Sequence, residues 1–105
     1  MRATTMQEIS SKNAVGFIKN NPDLVIVDVR TRGEFETGHI KGALNIDVSQ
    51  PDFKEEVDEL DKNKKYLVYC CSGSSSKFAG RIMEGVGFKE IYDLDDGIAG
   101  NPELL

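Results

Sequence analysis

The chain has 105 residues, 39% of them hydrophobic, and a formal net charge of −5 at pH 7. That length fits one domain, residues 1–105, with a core large enough to stand without metal or disulfide staples, and the acidic balance argues against non-specific binding to nucleic acid or acidic membranes. No run approaches the roughly 20 apolar residues of a membrane span, and Met1 to Ser11 is too polar for a signal peptide, so a cytoplasmic location and no membrane partner are expected.

Taken in chain order, Thr5 to Ile9 reads as a short edge strand and Ser10 as a helix N-cap. Ala14, Val15, Phe17 and Ile18 fall on one helical face, and Asn20-Asn21-Pro22-Asp23 ends that helix. Leu24-Val25-Ile26-Val27 is apolar and largely β-branched, the pattern of a strand buried on both faces in a parallel sheet. Arg32 to Thr37 is a short helix closed by Gly38, and Ala43 to Ile46 a second short strand. Phe53, Val57 and Leu60 mark a further helix. Tyr66-Leu67-Val68-Tyr69 is a strand that runs straight into Cys70. Ser72 to Ser76 is small and polar and reads as a loop. Phe78, Ala79, Ile82, Met83 and Val86 then form an apolar helical stripe with Gly87 as its stop, and Ile91 to Leu94 is the last strand. The alternation predicts an α/β domain: an open, mainly parallel sheet of about five short strands with helices on both faces.

The two cysteines, Cys70 and Cys71, are adjacent. They make no disulfide framework, and with a single histidine they make no zinc set. Cys70 sits at the carboxyl end of a central strand, the edge at which α/β sheets bind ligands. The backbone N–H groups of Cys71, Ser72, Gly73, Ser74, Ser75 and Ser76 can converge on an anion there. The next helix adds partial positive charge at its N-terminus, and both effects favour thiolate over thiol. Gly73 permits a tight turn. Two readings stay open on pattern alone, a small buried strand-end cysteine or a nucleophile.

Three motifs resemble the rhodanese (thiosulfate sulfurtransferase) homology domain in its single-domain form, over about Ile9 to Ile98. They are Asp28-Val29-Arg30 with Glu34-Phe35 and Gly38-His39-Ile40-Lys41-Gly42-Ala43-Leu44-Asn45-Ile46; the loop Cys70 to Lys77; and Gly87-Phe88 with Ile91 to Leu94 and Asp95-Asp96-Gly97-Ile98. The resemblance implies that Cys70 accepts a sulfane sulfur as a persulfide and passes it to a thiophilic acceptor. The partners implied are a small-molecule sulfur donor and an acceptor that can be a protein thiol, with the chain a monomer and no cofactor or metal required. Two departures stand out. The family's loop usually reads C-x-S-G-x-R-S, and Ser75 takes the arginine position; Asp96 takes the first of two usual glycines.

The resemblance further suggests that Arg30 pairs with a nearby carboxylate such as Glu34, and that His39 is structural. Asp28 and Arg30 support the site from the neighbouring strand end. Lys77, in the first turn of the last helix, is either a solvated lysine or a partial replacement for the missing arginine. Asp93, Asp95 and Asp96 read as a solvated turn, with Asp96 straining a glycine position. Cys71 is expected to face away from the cradle, and is either passive or a partner for Cys70 on oxidation. Two other functions remain: a non-catalytic interaction module, and a cysteine phosphatase or arsenate reductase. The last needs C-x5-R to surround an oxyanion, whereas the sixth residue after Cys70 is Ser76 and after Cys71 is Lys77.

Overall fold

Alternating patches of β-branched residues and amphipathic helices fold into a five-stranded sheet in which every pairing is parallel. The computed structural model describes residues 6–99 and 101–105; Thr5 of the expected edge strand lies outside them. The elements are β1 (Met6–Ile9), α1 (Ser11–Asn20), β2 (Val25–Asp28), α2 (Arg32–Glu36), β3 (Leu44–Asn45), α3 (Phe53–Asp58), β4 (Lys65–Tyr69), α4 (Ser74–Gly85) and β5 (Glu90–Leu94), followed by a 3-10 turn at Pro102–Leu104. Strand order is β1-β5-β4-β2-β3, so β4 is central and its carboxyl end is flanked by those of β2 and β5. No helix among the described residues is long and apolar enough to cross a membrane.

The period-two alternation of side chains divides the core into two layers. Val27, Val29, Tyr66, Val68, Cys70 and Ile91 face α3 and α4, where they pack with Phe53, Val57, Ala79 and Met83. Ile26, Leu67, Tyr69 and Leu94 face α1 and the C-terminal turn, with Ala14, Ile40, Ile98 and Leu104. Cys70 continues the register of Tyr66 and Val68, which aims its sulfur at the start of α4.

Several expectations need correction. Ser74, Ser75 and Ser76 are helical, because Gly73 (φ +103°) turns the chain early and α4 begins directly behind it. The buried face of α4 is Ser76, Ala79, Gly80 and Met83, which leaves Phe78 60% exposed and outside the stripe assigned to it. Val15 is likewise exposed, α1 burying Ala14 and Ser11 instead. Leu60 packs on the core but lies two residues beyond the end of α3.

Candidate active site

Cys70 is 3% exposed, and its sulfur serves as the cap of α4. Gly73 occupies the N-cap position without a side chain to offer. The Cys70 Sγ takes that place, accepting the Gly73 N–H at 3.0 Å and the Ser76 N–H at 3.3 Å. Ser76 N–H is one of the first-turn donors that have no partner within a helix, and a helix N-terminus favours negative charge at that point. The cradle is therefore made of backbone dipoles.

Two glycines set how closely the loop is packed. A Cβ on Gly73 would stand 2.1 Å from the Asp95 carbonyl oxygen, and one on Gly97 (φ +68°) 2.2 Å from that of Cys71. Ile98 N–H donates to the Cys70 carbonyl at 3.1 Å and Ala99 N–H to that of Cys71 at 2.8 Å. The segment after β5 thus clamps the cysteine loop from one side.

From the other side comes Arg30. Its Nε and one terminal nitrogen hold both oxygens of the fully buried Asp28 at 2.7–3.1 Å, and the same terminal nitrogen donates to the Gly38 carbonyl at 2.6 Å. The guanidinium lies 5.7 Å from the Tyr69 ring. Tyr69 receives the Ile40 N–H on its hydroxyl, and burial together with the Asp28 carboxylate holds its phenol above the ordinary tyrosine range. The carboxylate that Arg30 pairs with is Asp28, two residues back. Glu34 instead closes a capping box with Thr31 at the head of α2.

A cavity of about 170 Å³ opens over this region, lined by Cys70, Cys71, Ser72 and Ser75, by Arg30 and Glu34 from the segment after β2, and by Asp47 and Ser49 from the segment after β3. Among the described residues lining it, Arg30 is the one cation. Burial works against the charge on Asp47, but hydrogen bonds from the Ser49 hydroxyl and N–H and from Gln50 outweigh it and hold that carboxyl below its usual range. A larger hollow, about 750 Å³, lies among Asn20, Asn21, Asp23 and Lys65 at the opposite edge of the sheet, and neither cysteine lines it.

Lys77 is not a free surface lysine, and it does not line the cavity beside Cys70. Its Nζ sits among three carboxylates, 2.9 Å from Asp95, 3.0 Å from Asp93 and 3.6 Å from Glu8. Burial opposes its charge, but the hydrogen bonds to Asp95 and Asp93 win and hold Lys77 above the usual lysine range. Of the acidic trio, Asp95 and Asp96 lie in an exposed turn as expected, but Asp93 does not. Asp93 is fully buried, accepting from the Ser76 hydroxyl and from Lys77. Asp96 is unstrained, since only glycines among the described residues take positive φ; its carboxylate caps α1, accepting from the Ser11 N–H at 2.9 Å and hydroxyl at 2.7 Å. His39 stacks on Phe35 at 3.7 Å, its Nδ1 bonding the Phe35 carbonyl at 2.9 Å. Cys71 is exposed, and both cysteines are free thiols. Asp93 is the contact that sequence reasoning missed. Its signal was available: two residues after Ile91 in a strand, it shares that residue's inward face.

A parallel sheet whose central strand ends in a cysteine, with its sulfur capping the following helix, fits a rhodanese-type domain. The chain matches the model of the rhodanese-like domain family over residues 12–100 and belongs to that family. It is 36% identical over 91 residues to the thiosulfate sulfurtransferase GlpE of Coxiella burnetii, a match covering 87% of this chain and 82% of that protein. It is also 38% identical over 84 residues to the tRNA uridine(34) hydroxylase of Cytophaga hutchinsonii, covering 77% of this chain but only 27% of that protein. A rhodanese-related protein from Thermoplasma volcanium has a similar structure, with a TM-score of 0.76 at 29% identity, covering 90% of this chain and 88% of that one.

Proposed function

We propose that the chain is a sulfurtransferase in which Cys70 carries sulfane sulfur as a persulfide. The observation that carries this reading is the pair of N–H donors, from Gly73 and Ser76, directed at the Cys70 sulfur. The Cys70 thiolate attacks the outer sulfur of a donor. With thiosulfate, the S–S bond breaks and sulfite leaves with its electron pair; with a persulfide, a thiolate leaves. A thiophilic acceptor, such as cyanide or a thiol, then attacks the outer sulfur of the Cys70 persulfide and the Cys70 thiolate is regenerated. No redox partner is needed. The GlpE relative, matched over most of both chains, supports this reading.

The cavity also bears on the donor. Glu34 and Asp47 line it, Arg30 is tied to Asp28, and Ser75 replaces the family's loop cation. A dianion such as thiosulfate is disfavoured there relative to a less charged persulfide. A second reading takes the hydroxylase likeness as its support: the chain is the cysteine-bearing module of an RNA-modifying system. The net charge of −5 weighs against direct tRNA binding.

The test is mass spectrometry after incubation with thiosulfate and, separately, with a persulfide donor. One sulfur atom should be gained on the Cys70 peptide and lost to cyanide, and Cys70→Ser should gain none while remaining folded. A wild-type protein that takes up no sulfur from either donor, or a Cys70→Ser variant that still turns over, would overturn the proposal.

A further inference from the structure

Asp93 takes no part in the sulfur chemistry above, yet it is a fully buried carboxylate one hydrogen bond away from the cradle. One of its oxygens accepts the Ser76 hydroxyl, and the other lies 3.0 Å from Lys77 Nζ. The Ser76 hydroxyl has a single proton to give, with the Gly73 carbonyl also in reach at 3.1 Å. A carboxylate is the stronger acceptor of the two. Ser76 is fully buried, and its own N–H is one of the two donors on the Cys70 sulfur.

We propose that Asp93 is a positioning residue for Cys70, fixing the Ser76 N–H on the cysteine sulfur through the Ser76 hydroxyl, with Lys77 as its counter-charge. The second donor is held from the same strand end. Gly73 packs against the Asp95 carbonyl, and Lys77 Nζ reaches both that carbonyl, at 3.4 Å, and the Asp95 carboxylate. The end of β5 therefore grips both halves of the cradle. With Ser75 in place of a loop arginine, the aim of these backbone dipoles carries the electrostatics, so their fixation matters more than it would beside a mobile cation. The inference rests on Cys70 as the reactive group, the same reading as sulfur transfer, but its test reads thiol reactivity and needs no sulfur donor.

The test uses the whole chain in a Cys71→Ser background, so that Cys70 is the one thiol. The rate of alkylation by iodoacetamide and the pH midpoint of thiolate ultraviolet absorbance are measured for Asp93→Asn, Ser76→Ala and the double variant. The charged groups around Cys70 — Arg30 at the end of β2, Glu34 on α2, Asp47 after β3, Lys77 on α4 and Asp93 on β5 — are all unchanged in Ser76→Ala, so that variant isolates the hydroxyl link. Each single variant should slow alkylation by about 3- to 10-fold, the range for one lost hydrogen bond, and Ser76→Ala, which leaves every charge in place, should also raise the midpoint. The double variant should react no more slowly than the slower single, because the two residues act through one link. Wild-type rate and midpoint in the folded single variants, or effects that multiply in the double, would overturn the proposal. If Asp93→Asn does not fold, Ser76→Ala decides: slowed alkylation with an unchanged circular dichroism spectrum supports it, and unchanged alkylation overturns it. Failure of the wild-type chain to transfer sulfur, with fast alkylation in the wild type and slowed alkylation in the variants, would instead count against the proposed function alone.

Discussion

Gly97 lies so close to Cys71 that a Cβ on it would stand 2.2 Å from the Cys71 carbonyl oxygen and 2.7 Å from the Ser72 nitrogen. Its φ of +68° is also one that side chains disfavour. Gly97→Ala therefore has to move the cysteine loop or the turn after β5. The expected loss is roughly 2–4 kcal/mol of stability, read as a lower urea midpoint at unchanged slope, together with slower alkylation of Cys70. A variant with wild-type midpoint and reactivity would mean that the two segments are not clamped.

The same clamp bears on oxidation. Joining adjacent cysteines requires the peptide between them to twist, and the carbonyl of that peptide is held by Ile98 N–H while the next is held by Ala99 N–H. Mild oxidation of the folded protein is expected to leave the Cys70–Cys71 peptide without a two-proton mass loss. Cys71→Ser should keep sulfur transfer within about twofold under reducing conditions, as expected of an exposed position. Reversible inactivation accompanied by that mass loss, and absent in Cys71→Ser, would restore a regulatory role.

Ser75 lines the same cavity as Cys70, Glu34 and Asp47. Ser75→Arg should lower the KM for thiosulfate by about tenfold through a charge-assisted contact with the anion, with a much smaller change for an uncharged persulfide donor. Steady-state kinetics on both donors check this. Equal changes for both, or none, would show that the missing cation does not set the donor.

Acid should weaken the cap on α1. Hydrogen bonds from the Ser11 hydroxyl and N–H hold the Asp96 carboxyl below its ordinary value. A carboxyl depressed in the folded state contributes stability above its unfolded pKa, about 3.9, and that contribution disappears as pH falls through the folded value. Asp96→Ala should cost about 1 kcal/mol at pH 7, as for other lost caps. The gap between wild type and variant in urea midpoint should shrink towards pH 3. A constant gap would mean that the carboxylate charge is not what caps the helix.

What the sequence makes legible here is what contiguous apolar runs can carry. Val25 to Val27 and Tyr66 to Tyr69 read as strands because burial on both faces demands such residues, and Cys70 follows from the register of Tyr66 and Val68. The polar network is less legible, because a charge pattern does not say which partner a side chain reaches. Arg30 has carboxylates on either side, and the buried one, Asp28, wins over Glu34, which is occupied by the α2 cap. Asp96 reads as a strained glycine substitute only if its φ must be positive; Gly97 takes that conformation instead. The serines after Gly73 look like loop residues by propensity, but the Cys70 sulfur supplies the cap that lets a helix start among them.

Pairing of the first strand with the last, β1 with β5, has a bearing on biosynthesis. The cysteine emerges from the ribosome before residues 90–99, and neither the clamp from Gly97 to Ala99 nor the Asp93 link exists until those residues follow. Until then the first strand also lacks its neighbour. In a nascent chain the loop around Cys70 thus lacks these supports, and they are in place only when the sheet closes.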